Sequence, residues 1–502
     1  MIEPRRGEAT PPIALPSPST VTPVLGGGVA LDDAFVARLR DVCASVSVEA
    51  ADLAEHSRDW WPLAMTWALD SQVAGLAGAV ARVSSIDEVA GVLRLCNDAG
   101  VPVTASAGRS GVCGSAVPVH GGVVLDVCGL HGIVDVDRES MTVDVRAGTF
   151  GDVFEDALGE IDLTVGHWPQ SMALSTVGGW LACRSAGQYS NRYGKIEDIV
   201  VGLDVVLADG RLVHTGGWPR AAVGPDLTQL FVGSDGTLGV ITGARLRCHS
   251  KPAATWGAAF GFASFADGLD ACRRVIQRGG RPAVLRLYDQ VESKRSFEID
   301  GRCVLLAWDE ADPFVLRASE GVVVEECVEG ERLDDGLVDR WFSHRNDVSA
   351  LEALVSRGYV LDTIEVSAPW SALAPIYTDA VTALSGLDGV LAASAHQSHA
   401  YVDGACLYFT FAGSVGDDRA AKDDFYRAAW DAVTWAVRLR GGALSHHHGV
   451  GVNRGRYMRD ALGAGFDVLA AVKSALDPRG VLNPGKLGLS SPWAPDGGVP
   501  WP

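Results

Sequence analysis

Apolar residues in the first half of the chain recur with two periods that take turns. Ile86, Val89, Val92, Leu93 and Cys96 stand three and four apart, the spacing of one helical face, and Ser85-Ile86-Asp87-Glu88 ahead of them reads as a capping box. Ala99-Gly100 then turns the chain and residues 101–104 follow as a short apolar strand. A helix feeding straight into a strand is the unit of an α/β layer. The same reading predicts strands over 122–127, 141–145, 200–207 and 238–247, with Ala208-Asp209-Gly210 turning the third of these back into 211–215 as a hairpin.

Beyond Pro252 the alternation resumes: a strand over 258–262, a helix over 264–278, a strand over 304–308, helical text to about 356, a strand over 405–411 and a helix over 423–439. In the 405–411 strand Leu407, Phe409 and Phe411 share one face and must pack, which puts Cys406, Tyr408 and Thr410 on the other. The fold class expected is α+β with α/β subdomains. Its parts are a flexible Pro-rich arm over 1–28 ending in Gly26-Gly27-Gly28, a helical segment over 29–76 with a helix at 32–46, a first domain over 77–250, a second over 251–440, and a C-terminal segment over 441–502. No period of 20 to 50 residues is visible, which excludes repeat architectures.

Charge and composition narrow the function. The 502 residues carry 42 Lys plus Arg against 62 acids, a net charge of −20, without a basic run. The electrostatic term that drives binding to nucleic acid or to an anionic membrane is therefore missing. Nothing approaches the roughly 18 apolar residues of a membrane span, and the N-terminus lacks the apolar run of a secretory signal. Ten scattered cysteines without C-x-x-C or zinc spacing read as reduced thiols, so the expected location is cytoplasmic. Glycine stands out: 59 residues, about 12% against an average of about 7%, and many of them sit in clusters that let backbone approach a ligand closely.

Two familiar nucleotide motifs fail. No strict G-x-G-x-x-G occurs, and Gly480 to Lys486 fits G-x-x-x-x-G-K only to meet Leu487 where a P-loop needs a hydroxyl. Three glycine-rich loops survive: residues 105–114 with Ser106, Ala107, Gly108, Arg109, Ser110 and Gly111; residues 169–179 with Pro169, Ser171, Ser175, Thr176, Gly178 and Gly179; and residues 233–242 with Asp235, Gly236, Gly239 and Ile241. The first follows a strand, where successive backbone N–H groups can form a nest for a diphosphate. Each alone reads as well as a tight turn.

Their order along the chain, with Ser175-Thr176-Val177-Gly178-Gly179-Trp180 and Tyr193-Gly194-Lys195-Ile196-Glu197-Asp198, resembles the FAD-binding domain of the vanillyl alcohol oxidase and p-cresol methylhydroxylase (PCMH) superfamily. Ser367-Ala368-Pro369-Trp370, Asp403-Gly404-Ala405-Cys406-Leu407-Tyr408-Phe409 and Ser445-His446-His447-His448-Gly449-Val450-Gly451 are similar to the alkyldihydroxyacetone phosphate synthases within it. The resemblance implies a PCMH-type FAD-binding domain of two subdomains, a ferredoxin-like substrate or cap domain, and a C-terminal segment returning to the flavin. It implies FAD bound without a covalent link, residues 106–111 around the diphosphate, 169–176 along the flavin, and 236–241 on the adenine and ribose side. Ala107 and Arg109 stand where related loops more often place Gly, and Asp235 replaces a usual Glu.

For the reaction centre the resemblance implies Tyr408 as a proton-transfer group, His446, His447 and His448 beside it, His167 by the flavin and Arg286 as an anion clamp. Read from the residues alone, alternatives stand beside each. Tyr408 is equally a core tyrosine. The histidines suit acid/base work, anion binding, a structural cluster or a metal, although no Cys or carboxylate at ligand spacing accompanies them and the expected metal complement is none. If residues 445–449 are extended, His446 and His448 point one way and His447 the other. Arg286 forks onto an anion or makes a buried pair with Asp289 or another acid. The synthases carry a further Arg that an ungapped placement sets at Leu351, with Arg345 the nearest substitute.

Two activities follow. One is synthase-like, with FAD as an electron sink for exchange of an acyl for an alkoxy group, a transferase outcome. The other is oxidation of a 2-hydroxy acid or other polar alcohol on the same fold. The partners expected are a small anionic molecule, lipid-derived in the synthase case, and a second copy of the chain in a homodimer.

Overall fold

The computed structural model describes residues 11–494 and 501. Three sheets organise them. The first has the order Ser45–Ser47, Ala79–Arg82, Val123–Asp126, Val103–Ser106, its last three strands parallel. Helix Ile86–Ala99 packs on it, and Ser85 caps that helix by accepting from the Glu88 amide at 3.2 Å. Glu88 completes the cap one residue further out than the box pattern implies, accepting from the Ser84 amide at 2.7 Å and from the Ala44 amide at 3.1 Å.

That second bond bears on the helix expected over 32–46. It ends at Val42, because residues 45–47 pair as an edge strand with 80–82. The second sheet is antiparallel, in the order Leu212–Gly216, Val200–Val206, Val240–Arg247, Thr142–Arg146, Ile133–Asp137, and includes the expected hairpin. The two sheets share a seam where Val206, Ala208 and Val240 enter the apolar cluster of the first.

The second domain is one seven-stranded antiparallel sheet in two related halves. Ala254–Phe262, helix Phe265–Gln277, Val284–Tyr288, Cys303–Ala311, helix Pro313–Glu326 and Glu331–Arg332 run strand–helix–strand–strand–helix–strand, with spatial order fourth, first, third, second. This is the ferredoxin-like arrangement. Val360–Pro369, helix Trp370–Ser385, Val390–Ala400, Gly404–Gly413 and helix Arg419–Leu439 repeat it without the fourth strand, joined edge to edge through Val284–Tyr288 and Val390–Ala400. Leu407, Phe409 and Phe411 are fully buried in the main core, where Tyr426, Trp430 and Val433 of the long helix also lie. Tyr408 and Thr410 thereby lie on the opposite face of the sheet.

Residues 1–10 of the expected arm lie outside the described residues. The described part is docked: Thr22–Pro23 pairs in parallel with Gln72–Val73, and Ile13 is buried in a cluster with Trp60, Met65 and Val355. The C-terminal segment adds to the first sheet by exchanging backbone bonds at Val103, to the Val481 carbonyl (2.8 Å) and from the Asn483 amide (2.7 Å). No helix among the described residues is long and apolar enough to cross a membrane.

Candidate active site

The three glycine-rich loops converge on one cavity of about 640 Å³ between the two domains, a size suited to a cofactor with a small substrate. Ser106, Ala107, Gly108, Arg109, Ser110 and Gly111 line it. So do Pro169, Ser171, Ser175, Thr176, Gly178 and Gly179, and from the third loop Asp235, Gly236, Gly239 and Ile241. Gly108 is there for approach: a Cβ on it would lie 2.1 Å from the Leu174 carbonyl oxygen, which belongs to the second loop. Among the described residues, the amides of residues 107–111 donate to no acceptor in the chain. Ser106 Oγ, Arg109 Nε, Ser234 Oγ and Asp235 Oδ1 are also buried without a partner. Buried polar groups are normally satisfied, so a run of orphan donors along a loop fits an anionic ligand such as a diphosphate.

Across the cavity stands the exposed face of the seven-stranded sheet. Tyr408 donates to Thr363 Oγ1 at 3.0 Å, and its ring stacks on His396 with centroids 4.8 Å apart. Burial pushes its phenol well above the ordinary value, so the hydroxyl keeps its proton. His447 and His448 also line the cavity, with ring centroids 6.0 and 5.5 Å from Tyr408. Residues 445–449 are a series of bends and not a strand, so the alternation expected of an extended segment does not hold. His447 and His448 lie together on the wall and His446 lies behind them. Its Nε2 meets the Tyr401 hydroxyl at 2.8 Å and its Nδ1 meets His447 Nδ1 at 2.8 Å.

Burial holds all three imidazoles neutral: His446 and His447 well below the ordinary value, and His448 at about 4, where the nearby Glu365 limits the drop. His399, His446 and His447 bring ring nitrogens within 4.8 Å of one another, a spacing compatible with a metal ion. The charges that bear on them include Lys195 and Arg286, which oppose a cation. His167 is buried behind Ser185, bonded to its Oγ at 2.8 Å, with burial lowering its pKa to about 3.

Arg286 reaches the same cavity from strand Val284–Tyr288. It makes no ion pair among the described residues: Asp289 is turned away to cap helix Gln290–Phe297, and Arg286 Nη2 instead donates to His396 Nε2 at 2.7 Å. A guanidinium only donates, so His396 Nε2 is the lone-pair nitrogen and Nδ1 carries the proton, given to Glu292 Oε2 at 2.8 Å. Against burial, His396 and Arg295 hold that carboxyl down at about 2. Arg345 lies elsewhere, in the wall of an adjoining 290 Å³ pocket, donating to Tyr189 OH at 2.7 Å and Gln188 Oε1 at 3.0 Å. Leu351 lines the main cavity.

Sequence reasoning did not single out His396, His399, Glu292, Thr363 or Glu365. The only signal was His396-Gln397-Ser398-His399, a polar run just upstream of the recognised strand.

Residues 77–216 match the family model described as FAD binding domain, and residues 251–487 the one described as FAD linked oxidases, C-terminal domain. The chain is 32% identical over 432 residues to the uncharacterized FAD-linked oxidoreductase YgcU of Escherichia coli K12, covering 82% of this chain and 89% of that protein. It is 28% identical over 443 residues to alkyldihydroxyacetonephosphate synthase of Dictyostelium discoideum (80% and 72% covered), and 28% identical over 438 residues to glycolate oxidase subunit GlcD of Bacillus subtilis (83% and 90%). Among solved structures, an alkyldihydroxyacetonephosphate synthase superposes with TM-score 0.76 at 23% identity, covering 92% of this chain and 87% of that one. A p-cresol methylhydroxylase superposes with TM-score 0.74 at 18% identity, covering 91% and 97%. The glycine loops, the cavity between the domains and these matches agree: the chain belongs to the FAD-linked oxidoreductases of the PCMH fold, and FAD is its cofactor.

Proposed function

We propose that the protein oxidises a small alcohol bearing a carboxylate or phosphate, a 2-hydroxy acid being the simplest case. The observation that carries the reading is Arg286: a guanidinium on the cavity wall with no carboxylate partner among the described residues, held by His396 and beside neutral imidazoles. FAD, held by the three glycine loops, supplies the two-electron acceptor. Arg286 binds the anionic end of the substrate and fixes the hydroxyl-bearing carbon. His447 or His448, neutral and on the wall, accepts the hydroxyl proton. Tyr408 keeps its proton and donates a hydrogen bond to the substrate oxygen. Cys113 is turned towards Arg454, whose Nη1 lies 3.6 Å from its sulfur, which supports a flavin without a link to this thiol.

A second reading, the synthase-type exchange, is supported by the apolar stretch of the cavity at Trp60, Val112, Leu351, Leu354 and Leu361, which suits a hydrocarbon chain, and by the Dictyostelium relative. Against it, Leu351 offers no second cation for a fatty carboxylate.

Anaerobic mixing of the holoenzyme with glycolate, D- and L-lactate and glycerol 3-phosphate, followed by flavin absorbance, tests the choice. Lasting bleaching by one of them is expected. Turnover of an acyl dihydroxyacetone phosphate without added acceptor, with no bleaching by any alcohol, would overturn the oxidative reading.

A further inference from the structure

Glu365 stands on strand Val360–Pro369 directly across from Tyr408 in the antiparallel register. Its side chain is fully buried, and so is that of Arg454, with which it pairs. One carboxylate oxygen, Oε1, accepts three hydrogen bonds from the histidine loop: Ser445 Oγ at 2.7 Å, the His447 amide at 3.0 Å and the His448 amide at 2.5 Å. Arg454 grips the other oxygen and reaches up to the Gly449 carbonyl at 2.7 Å and to Ser445 Oγ at 3.0 Å. Its guanidinium lies over the Trp430 ring, 4.9 Å from the centroid.

The loop is thus tied at residues 445, 447, 448 and 449 by one carboxylate and one guanidinium. Glu365 also lies 3.9 Å from His448 Nδ1, a buried nitrogen without any hydrogen-bond partner. The other groups against this ring are His447, Tyr408 and Arg454.

Stability is a poor reason for such a pair, since replacing a buried ion pair by apolar residues of similar volume is often neutral or favourable. Position is a better one. Glu365 is anchored by backbone pairing to the strand that carries Tyr408, so every bond it makes to the loop sets the distance between the histidines and the phenol.

We propose that Glu365 and Arg454 are positioning residues of the reaction centre, which hold His447 and His448 opposite Tyr408, and that Glu365 stabilises the proton taken up by His448. The positioning stands without the oxidative reading, and the proton rests on it.

The test uses the holoenzyme, Glu365→Gln, and a charge-free pair, Glu365→Leu with Arg454→Met. Hydrogen exchange followed by mass spectrometry on peptides spanning 445–450 needs no substrate. Exchange there is expected to rise at least ~10-fold in the charge-free pair, because leucine leaves the amides of 447 and 448 without an acceptor, and to rise less in Glu365→Gln, whose amide oxygen still accepts. The charge-free pair is expected to keep wild-type melting and FAD content, since it buries no lone charge, yet to reduce its flavin at least ~100-fold more slowly with the best alcohol of the panel, the cost of a misplaced catalytic group. A merely structural pair predicts full recovery of that rate. Unchanged exchange in the charge-free pair, or its reducing flavin at the wild-type rate with full flavin content, overturns the proposal. If no alcohol of the panel bleaches the wild type, the oxidative reading falls, and the exchange measurement alone decides the positioning.

Discussion

At the scale of single residues, the site sets groups whose protonation is governed by burial beside Arg286, a cation with no carboxylate partner among the described residues. Tyr408→Phe removes one hydroxyl and keeps the ring stacked on His396. Flavin reduction is expected to slow by ~100-fold, the range for a positioned proton-handling group, with FAD content unchanged. Equal rates for the two proteins would reduce Tyr408 to a packing residue. Arg286→Ala is expected to raise KM for an anionic substrate by ~100-fold, about the loss of a charge-assisted pair. Arg286→Lys should recover part of it, because lysine restores the charge and loses the fork that also reaches His396. A neutral analogue reacting as well as the anion would remove the clamp.

Tyr408 and Arg286 were legible because each is a single polar residue in an alternating apolar strand. Glu292, Glu365 and His396 were not, since their meaning lies in partners 104, 82 and 110 positions away in the chain.

At the scale of elements, the loops are the proposed cradle for FAD and the strands set their spacing. Gly108→Ala puts a methyl 2.1 Å from the Leu174 carbonyl, which is backbone and cannot swing aside. The first and second loops must then part, and FAD affinity is expected to fall by at least ~10-fold. Ala107→Gly should bind FAD as the wild type does. Gel filtration and the flavin-to-protein absorbance ratio check both, and full flavin content in Gly108→Ala would show that the loops separate at no cost.

The glycine loops and most first-domain elements could be read from periodicity and turn residues. Among the strands that could not are Val360–Pro369 and Val390–Ala400, both central to the site. Glu365 in the first, and Ser394, His396 and His399 in the second, are buried polar residues where a strand pattern calls for apolar ones. The period fails where the sheet faces the cavity, because chemistry has replaced packing there.

At the scale of the molecule, burial of titratable groups makes pH act in two opposed ways on the fold and in one way on the reaction. His167, held near 3 by burial, binds fewer protons folded than unfolded between pH 6.5 and 3, so its linkage subtracts stability as pH falls below 6.5. Asp59 and Asp362, raised by burial to about 7, take up protons in the folded state first and add stability as pH falls from 7 towards 4. The melting profile of the wild type is therefore expected to be shallow between pH 7 and 5. His167→Asn deletes one of the opposing terms, so its melting temperature, measured relative to wild type, should climb as pH drops across that range, whatever its offset at pH 7. A constant difference would mean that His167 titrates normally.

The reaction feels only the histidines, because a protonated imidazole has no lone pair to offer. His448 loses its lone pair as pH falls through about 4, not 6.5, and burial likewise holds His447 well below its ordinary value. Flavin reduction by a bound alcohol, measured anaerobically in a stopped flow, is expected to be flat from pH 8 down to 5. An acid limb centred near 6.5 would place the proton acceptor on a solvent-exposed histidine, outside the cavity described here.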